Sequence, residues 1–300
     1  MAILNFGSLN IDMTYAVEQI VKPGQTIPSK SLSVSCGGKG FNQSIALVKA
    51  GAKVFHAGKI GFDGKVLIDK LRECNVDTTA ISDCSLPCGR ALIQVDQKGE
   101  NSIILYGGSN LAITKKEIDH VFSKIRNCEW LLIQNEINNI PAIIKTAKKF
   151  GMKIAFNLAP FKPDSLTYPL EYIDILIVNE TEGAALTGLD DPMSAIKKLS
   201  EKFPLSIIVL TLGKSGLILS YEKKIYKQPS YHVKTVDTTG AGDTFTGYFI
   251  QSIESGESPE FAADWASRAS ALCVSSAGSS NSIPCSKDVS NAVLKLRKSV

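Results

Sequence analysis

The residues best suited to chemistry lie in one segment, 237–245, which reads Asp-Thr-Thr-Gly-Ala-Gly-Asp-Thr-Phe. An apolar run follows from Phe245 to Ile253, so the pattern predicts a glycine turn that opens a helix. The first N–H groups of a helix have no intrahelical partner, and glycines let a phosphate approach them closely. Asp243 would lie in the first helical turn, where a carboxylate is favoured and can deprotonate a hydroxyl beside the bound anion. We therefore predict a catalytic group that consists of Asp243 as the base and the backbone of Gly240, Ala241 and Gly242.

A second glycine cluster lies far upstream, at 36–43, and reads Cys-Gly-Gly-Lys-Gly-Phe-Asn-Gln. Segment 237–245 alone is equally typical of an aspartate helix cap. With the second cluster, it resembles the paired signatures of the ribokinase-like sugar kinases, also called the PfkB family. The resemblance extends from Gly-Ser-Leu-Asn-Ile-Asp at 7–12 to Ser-Ile-Pro at 282–284, with intermediate motifs in family order. The form Gly-Gly-Lys-Gly-x-Asn-Gln is closer to the ribokinase branch than to others.

A sugar site is the first implication of this resemblance. Ile3 to Phe6 reads as a buried strand, and ligands collect at the carboxyl ends of strands in open α/β sheets. The Asn and Asp after this strand are also typical of an Asx turn, and the lysine of the glycine cluster is also typical of a solvated loop. Phe41 stands where ribokinases usually carry a small residue, so a ring facing the pocket would argue against ribose. The substrate-binding residues that the resemblance implies are Asn10, Asp12, Gly38, Lys39, Asn42, Glu136 and Asp243.

The resemblance also implies sites for ATP, Mg²⁺ and K⁺. Asn179 and Glu182 have the spacing of a capping box, which would be a purely structural role. In the family this Asn-x-x-Glu pair orients Mg²⁺ and the phosphates, largely through water. The implied ATP-binding residues are Asn179, Thr211, Gly213, Gly216 and Gly242. The implied monovalent cation site consists of Asp237, Thr239, Ser276, Gly278 and Ser282.

The elements that must position these residues alternate between strands and helices. From Val54 onward this alternation predicts an α/β fold, with a mostly parallel sheet sandwiched by helices. Two strand pairs, within 14–35 and 90–106, do not follow this alternation of strands and helices and are predicted to form a separate small sheet. In the family such a sheet is a lid over the sugar and commonly a dimer surface; a lid would exclude water from the reaction. We expect residues 1–300 to form a single kinase domain that ends in a helix at 289–298.

Composition restricts the other classes of function. The chain has 300 residues, 44% of them hydrophobic, and can bury a substantial core. Its net charge of +4 comes from 33 basic and 29 acidic residues without a basic block, which argues against a nucleic-acid partner. No signal peptide or apolar run of membrane-spanning length is evident, so we expect a cytoplasmic protein. Seven cysteines, an odd number, are expected to be reduced thiols.

We therefore expect an ATP-dependent sugar kinase that transfers the γ-phosphoryl group to a primary hydroxyl, with D-ribose as the expected acceptor, and that forms a homodimer through the lid. The alternatives are a kinase of 2-deoxyribose, a hexose, a sugar acid or a nucleoside. A non-catalytic sugar-binding regulator is disfavoured because the base, the phosphate turn and the Asn-x-x-Glu pair are all present. A nicotinamide-dependent oxidoreductase would need Gly-x-Gly-x-x-Gly after the first strand, where this chain has Gly-Ser-Leu-Asn.

Overall fold

A computed structural model describes residues 2–297 of the chain. Its strands are β1 (Ala2–Phe6), β2 (Asn10–Ala16), β3 (Ser31–Gly37), β4 (Lys53–Ile60), β5 (Asp77–Asp83), β6 (Gly89–Val95), β7 (Asn101–Tyr106), β8 (Cys128–Gln134), β9 (Lys153–Asn157), β10 (Ile175–Asn179), β11 (Ile207–Thr211), β12 (Leu217–Tyr221), β13 (Lys224–Gln228), β14 (Tyr231–His232) and β15 (Lys295–Leu296). Its α-helices are α1 (Lys39–Ala50), α2 (Lys65–Glu73), α3 (Lys115–Lys124), α4 (Ile140–Lys149), α5 (Glu180–Thr187), α6 (Pro192–Lys202), α7 (Ala241–Glu254), α8 (Pro259–Cys273) and α9 (Ser286–Asn291).

A nine-stranded sheet forms the centre of the molecule, in the order β13-β12-β11-β10-β9-β8-β1-β4-β5. The seven strands from β11 to β5 in this order are parallel, and β12 and β13 continue the sheet as antiparallel neighbours. The predicted α/β class, with a mostly parallel sheet, is confirmed.

Two hydrophobic clusters cover the two faces of this sheet. Successive side chains of a strand point to opposite faces, so Leu4 and Phe6 join one cluster and Ile3 joins the other. The first cluster includes residues of α3, α4 and α6, and the second includes residues of α1, α2, α7 and α8. Helices α1 and α7, which carry the two glycine motifs, therefore lie side by side on the same face.

Four strands form a separate small sheet in the order β3-β2-β6-β7, as predicted for the lid. The sheet is mixed, since β2 and β6 are parallel while the outer pairs are antiparallel. Strand β2 begins at Asn10 rather than at 14, because only three residues separate it from β1 and Asn10 already pairs with Gly89 of β6. Asn10 and Asp12 thus lie on a lid strand and not in an Asx turn.

The C-terminal prediction is wrong in part. Helix α9 spans Ser286–Asn291, and Lys295–Leu296 then forms a short strand that pairs with Tyr231–His232. This strand pairing takes up the backbone groups that a continued helix would have used. Lys298, the predicted end of the helix, lies outside the described residues.

All seven cysteines are free thiols in the structure, as predicted. None of the helices within residues 2–297 combines the length and apolarity that a membrane crossing needs.

Candidate active site

The turn that precedes α7 places Asp243 at the start of a helix, as predicted. Gly240 is the N-cap residue and has a left-handed backbone with φ of 79°. This conformation favours glycine, and a Cβ atom there would also crowd the Ser279 backbone at 3.2 Å. Asp243 is the third residue of α7 and points into the protein with only 7% of its surface exposed.

The backbone N–H groups of this turn are available to an anion. In the part of the chain that the structure describes, Gly240, Gly242 and Asp243 have no hydrogen-bond partner for their N–H groups. The N–H of Ala241 donates a long hydrogen bond of 3.3 Å to the Thr238 carbonyl, so a ligand would compete with the turn for this donor. Free donors at the positive end of a helix dipole form an anion site.

The carboxylate of Asp243 is held by two side chains of α1. Asn42 donates from Nδ2 to Oδ2 at 2.9 Å, and Gln43 donates from Nε2 to Oδ1 at 2.9 Å. Helices α1 and α7 come close enough for these contacts at Gly247, where a Cβ atom would lie 2.4 Å from Cβ of Ala46. Each carboxylate oxygen still has a lone pair for a substrate hydroxyl.

Burial and charge act in opposite directions on Asp243. Burial raises the pKa of its carboxyl group, and the charge of Lys39 and the hydrogen bonds from Gln43 and Asn42 counteract this only in part, so the pKa lies above its ordinary value. A carboxylate with a raised pKa is a better base toward a hydroxyl near neutral pH.

Lys39 lies among several carboxylates at the start of α1. Burial alone would lower its pKa, but the negative charges around it outweigh burial and raise the pKa. The side chain therefore stays protonated, and its positive charge balances the negative charges of these carboxylates. The carboxylates that act on it belong to Asp243, Glu136 and Glu182.

Glu136 follows β8 and is tied to the start of α1. Its Oε2 accepts hydrogen bonds from Ser8 Oγ at 2.5 Å and from the Lys39 N–H at 2.9 Å. Ser8 Oγ in turn accepts from the Gly40 N–H at 3.1 Å. Ser8 was not among the predicted site residues, although it belongs to the Gly-Ser-Leu-Asn segment.

Asn10 and Asp12 extend this pocket onto the lid strand β2. The Oδ1 atom of Asn10 accepts from Nδ2 of Asn110 at 2.7 Å, a contact 100 residues away in sequence. The Oδ1 atom of Asp12 is buried and has no hydrogen-bond partner among residues 2–297. Burial, with the added charges of Glu136 and Asp243, raises the pKa of Asp12 from 3.8 to about 7. Asp12 is therefore an acceptor that lacks its donors.

The ring of Phe41 does not face this pocket. Phe41 is fully buried and belongs to the hydrophobic cluster under α1. A side chain that lined an open sugar pocket would keep some exposed surface. The departure from the ribokinase pattern is thus a packing difference in the core.

A cavity of about 270 Å³ lies on the other side of the glycine turn. Four of the five predicted ATP-binding residues line it: Thr211, Gly213, Gly216 and Gly242. Its walls are largely apolar and include Phe245 of segment 237–245, together with residues that the sequence did not single out: Tyr231, Val233, Ala271 and Val274. Apolar walls beside a phosphate turn suit the flat base of a nucleotide.

Asn179, the fifth predicted residue, does not line this cavity; it begins α5 and forms a capping box with Glu182. The Asn179 Oδ1 atom accepts from the Glu182 N–H at 2.9 Å, and Glu182 Oε2 accepts from the Asn179 N–H at 2.9 Å. The structural role foreseen for this pair is present. Glu182 is also buried and lies near enough to Lys39 for the two charges to interact. Within residues 2–297, no group of three His, Cys, Asp or Glu could hold a metal ion.

Four of the five residues predicted for a monovalent cation are joined by hydrogen bonds. Asp237 accepts from the N–H and Oγ1 of Thr239 at 2.9 and 2.7 Å and from the Gly278 N–H at 3.0 Å. Burial would raise the pKa of Asp237, but these bonds outweigh it and lower the pKa. Ser282 donates to the Gly278 carbonyl at 2.5 Å, whereas Ser276 is exposed and donates its N–H to the end of α8.

Comparisons of the sequence and of the structure with known proteins both find carbohydrate kinases. The model of the pfkB family of carbohydrate kinases matches residues 2–285. The chain is 35% identical over 289 residues to the ribokinase of Haemophilus influenzae, covering 93% of this chain and 94% of that protein. It is 30% identical over 269 residues to the deoxyribokinase of Salmonella typhi, covering 84% and 87%. The structure of Arabidopsis thaliana ribokinase with ribose and ATP superposes with a TM-score of 0.85 at 30% identity, covering 96% and 97%.

Proposed function

The chain belongs to the pfkB family of carbohydrate kinases, and from this premise we propose that it phosphorylates D-ribose to ribose 5-phosphate with ATP. The observation that carries the proposal is the buried carboxylate of Asp243, held by α1 beside the free N–H groups of the glycine turn. Asp12 and Lys39 lie near enough to Asp243 for their charges to interact, and Ala241 and Gly242 of the turn line the 270 Å³ cavity. A base between a polyol site and a nucleotide site suits phosphoryl transfer.

In the proposed mechanism, Asp243 takes the proton of the primary hydroxyl. The sugar oxygen forms a bond to the γ-phosphorus while the bond to the β,γ-bridging oxygen breaks, and ADP leaves with that electron pair. The N–H groups of Gly240, Gly242 and Asp243 hold the charge on the transferred group. Asn179 and Glu182 would hold a Mg²⁺ ion through its waters, because Mg²⁺ retains most of its hydration shell, and the ion would supply further charge neutralisation.

Ribose is favoured over the other acceptors by three findings. The Haemophilus relative is a ribokinase, and the Arabidopsis ribokinase structure contains ribose and ATP. Phe41, the residue that argued for another sugar, is packed in the core. The deoxyribokinase relative keeps 2-deoxyribose as the second candidate, since the two sugars differ by one hydroxyl.

The test is ADP release from ATP and Mg²⁺ with ribose, 2-deoxyribose, other pentoses, hexoses and nucleosides. A kcat/KM highest for ribose supports the proposal, and a higher value for any other acceptor replaces it. The same assay in K⁺ and in tetramethylammonium tests a proposed K⁺ site at Asp237, Thr239, Ser276, Gly278 and Ser282. Equal rates in the two salts would overturn K⁺ activation.

Asp12→Asn is expected to weaken sugar binding and to stabilise the sugar-free protein at alkaline pH. Sugar hydroxyls would supply the donors that Asp12 lacks, so wild-type KM should fall as pH rises through 7, and the variant should raise KM roughly 10- to 100-fold.

Because folding raises the pKa of Asp12, the stability that it contributes is full below 3.8 and is lost as pH rises through about 7. The variant should therefore melt above wild type at pH 8.5, by roughly 2 °C or more, and show little difference at pH 4. A lower melting temperature at pH 8.5 would contradict this account.

We propose that the outer face of the lid sheet binds a second copy of the chain. The strand register places Val34, Met13, Leu92 and Ile104 in one row across the four strands, on the face opposite to Asp12. Val34 and Ile104 are 59% and 62% exposed, and such an apolar face is typical of an interface. The double variant Val34→Lys/Ile104→Lys should elute at half the wild-type mass in light-scattering chromatography. Val293→Lys, at a residue 95% exposed on α9's C-terminal side, is the control; a monomeric wild type would refute the interface.

A further inference from the structure

A row of buried amide side chains runs from Asp243 into the central sheet. Gln43 donates to Asp243 and accepts at its own Oε1 from Nε2 of Gln134, at 2.8 Å. Gln134, the last residue of β8, donates from the same Nε2 to Oδ1 of Asn5 on β1, at 2.9 Å. All three amide residues are fully buried. The base is therefore connected to β8 and β1, two adjacent parallel strands inside the sheet.

The orientation of every amide in this row follows from a backbone carbonyl at its far end. Asn5 donates from Nδ2 to the Gly40 carbonyl at 2.7 Å, and a carbonyl can only accept. Oδ1 of Asn5 must then face Gln134 and requires an NH₂ group there. That NH₂ group is shared with Gln43, so Gln43 must present its oxygen to Gln134 and its own NH₂ group to Asp243. A flipped Gln43 would place oxygen against the carboxylate and NH₂ against NH₂.

From this geometry we infer that Gln43 is a positioning residue for the base, held in its donating orientation by Gln134 and Asn5. The inference rests on the proposed role of Asp243. Asn42, the other partner of Asp243, also belongs to the proposed sugar site, and its Oδ1 atom has no hydrogen-bond partner among the described residues. Gln43 is fully buried and its Oε1 atom is held by Gln134, so we expect its hydrogen bond to Asp243 to persist through the reaction. It holds the plane of the carboxylate and favours the ionised form.

Gln43→Met, which keeps the volume and removes the donor, tests this inference. We expect kcat to fall roughly 10- to 100-fold, which is the effect on the rate of losing one hydrogen bond to a charged group. KM for the sugar should change about twofold or less. The lost hydrogen bond had lowered the pKa of Asp243, so the acid limb of the kcat–pH profile should move to higher pH. Gln43→Glu should move this limb further, because two carboxyl groups at this distance share a proton. An unmoved acid limb in both variants would overturn the inference.

The part played by Gln134 is tested by a double-mutant cycle. Gln134→Met frees Gln43 to rotate and should shift the acid limb in the same direction by less. The double variant should have a kcat no lower than that of Gln43→Met alone, since both changes act through one contact. If the losses in kcat from the two single variants add up, Gln134 does not act through Gln43. Gln251→Met, the same change at a half-buried position further along α7, should match wild type. Each variant is checked by circular dichroism, and if Gln43→Met does not fold, the acid limb of Gln134→Met decides.

Failure of the inference and failure of the proposed function are distinguishable. All comparisons are made with wild type on whichever acceptor it phosphorylates, so the inference does not depend on ribose. If the wild-type chain releases no ADP with any acceptor, the proposed function fails. If wild type is active and the Gln43 variants match it, only the positioning role fails.

Discussion

Asp243→Asn is expected to lower kcat by about 10²- to 10⁴-fold while the sugar still binds within a few-fold of its wild-type Kd. The amide cannot accept the hydroxyl proton, and its NH₂ group would oppose one of the two donors, Asn42 or Gln43, that now hold the carboxylate. Steady-state kinetics give kcat, and calorimetric titration of the sugar gives Kd. The residual activity should also lose the acid limb of its pH profile, because the titrating group is gone.

Asp191→Asn is the matched control for this variant. Asp191 is the N-cap of α6, where its side chain accepts from the Ser194 N–H at 2.7 Å, and α6 packs in a different hydrophobic cluster from α7. Asparagine is an equally good N-cap residue, so this protein should keep wild-type kcat and stability. An Asp243→Asn protein that turned over at a near-wild-type rate would exclude Asp243 as the base and leave the glycine turn as the main catalytic element.

Lys39→Met is expected to lower kcat/KM for the sugar by about 10²- to 10⁴-fold at pH 7. Removal of one partner from a buried group of charges leaves the others uncompensated, which typically costs about 3–5 kcal/mol. The charge of Lys39 is the largest influence that lowers the pKa of Asp243 against burial. Without it the pKa of Asp243 rises further, so a smaller fraction of the base is ionised at pH 7. Part of the lost activity should therefore return as pH is raised toward 9.

The measurement is a pH–rate profile of wild type, Lys39→Met and Lys39→Arg between about pH 5.5 and 9.5. Lys39→Arg keeps the charge and should keep the acid limb near its wild-type position, even if the larger head group weakens sugar binding. If the acid limb of Lys39→Met coincides with that of wild type, the charge of Lys39 does not support the ionised base. A loss confined to KM would instead assign Lys39 to sugar binding alone.

Features that depend on neighbours in sequence could be predicted without a structure. The alternation of apolar runs with amphipathic segments predicted the α/β class, with its mostly parallel sheet. The glycine turn before Asp243 and the capping box of Asn179 and Glu182 are local patterns whose geometry is determined within one helical turn. The errors at Asn10 and after Asn291 have the opposite origin, because both segments form strands through pairing with distant residues.

The contacts that make Asp243 a base were outside the reach of any pattern. Gln43 lies 200 residues before Asp243, and the two meet because α1 and α7 cross closely on one face of the sheet. The same holds for the buried, unpartnered oxygen of Asp12 and for the inward packing of Phe41. The sequence by itself determined the type of each element and which residues could do chemistry, since backbone conformation follows from local sterics and periodicity. Only the tertiary structure decided which polar groups are desolvated together, and desolvation and partners set the pKa and orientation of a catalytic group.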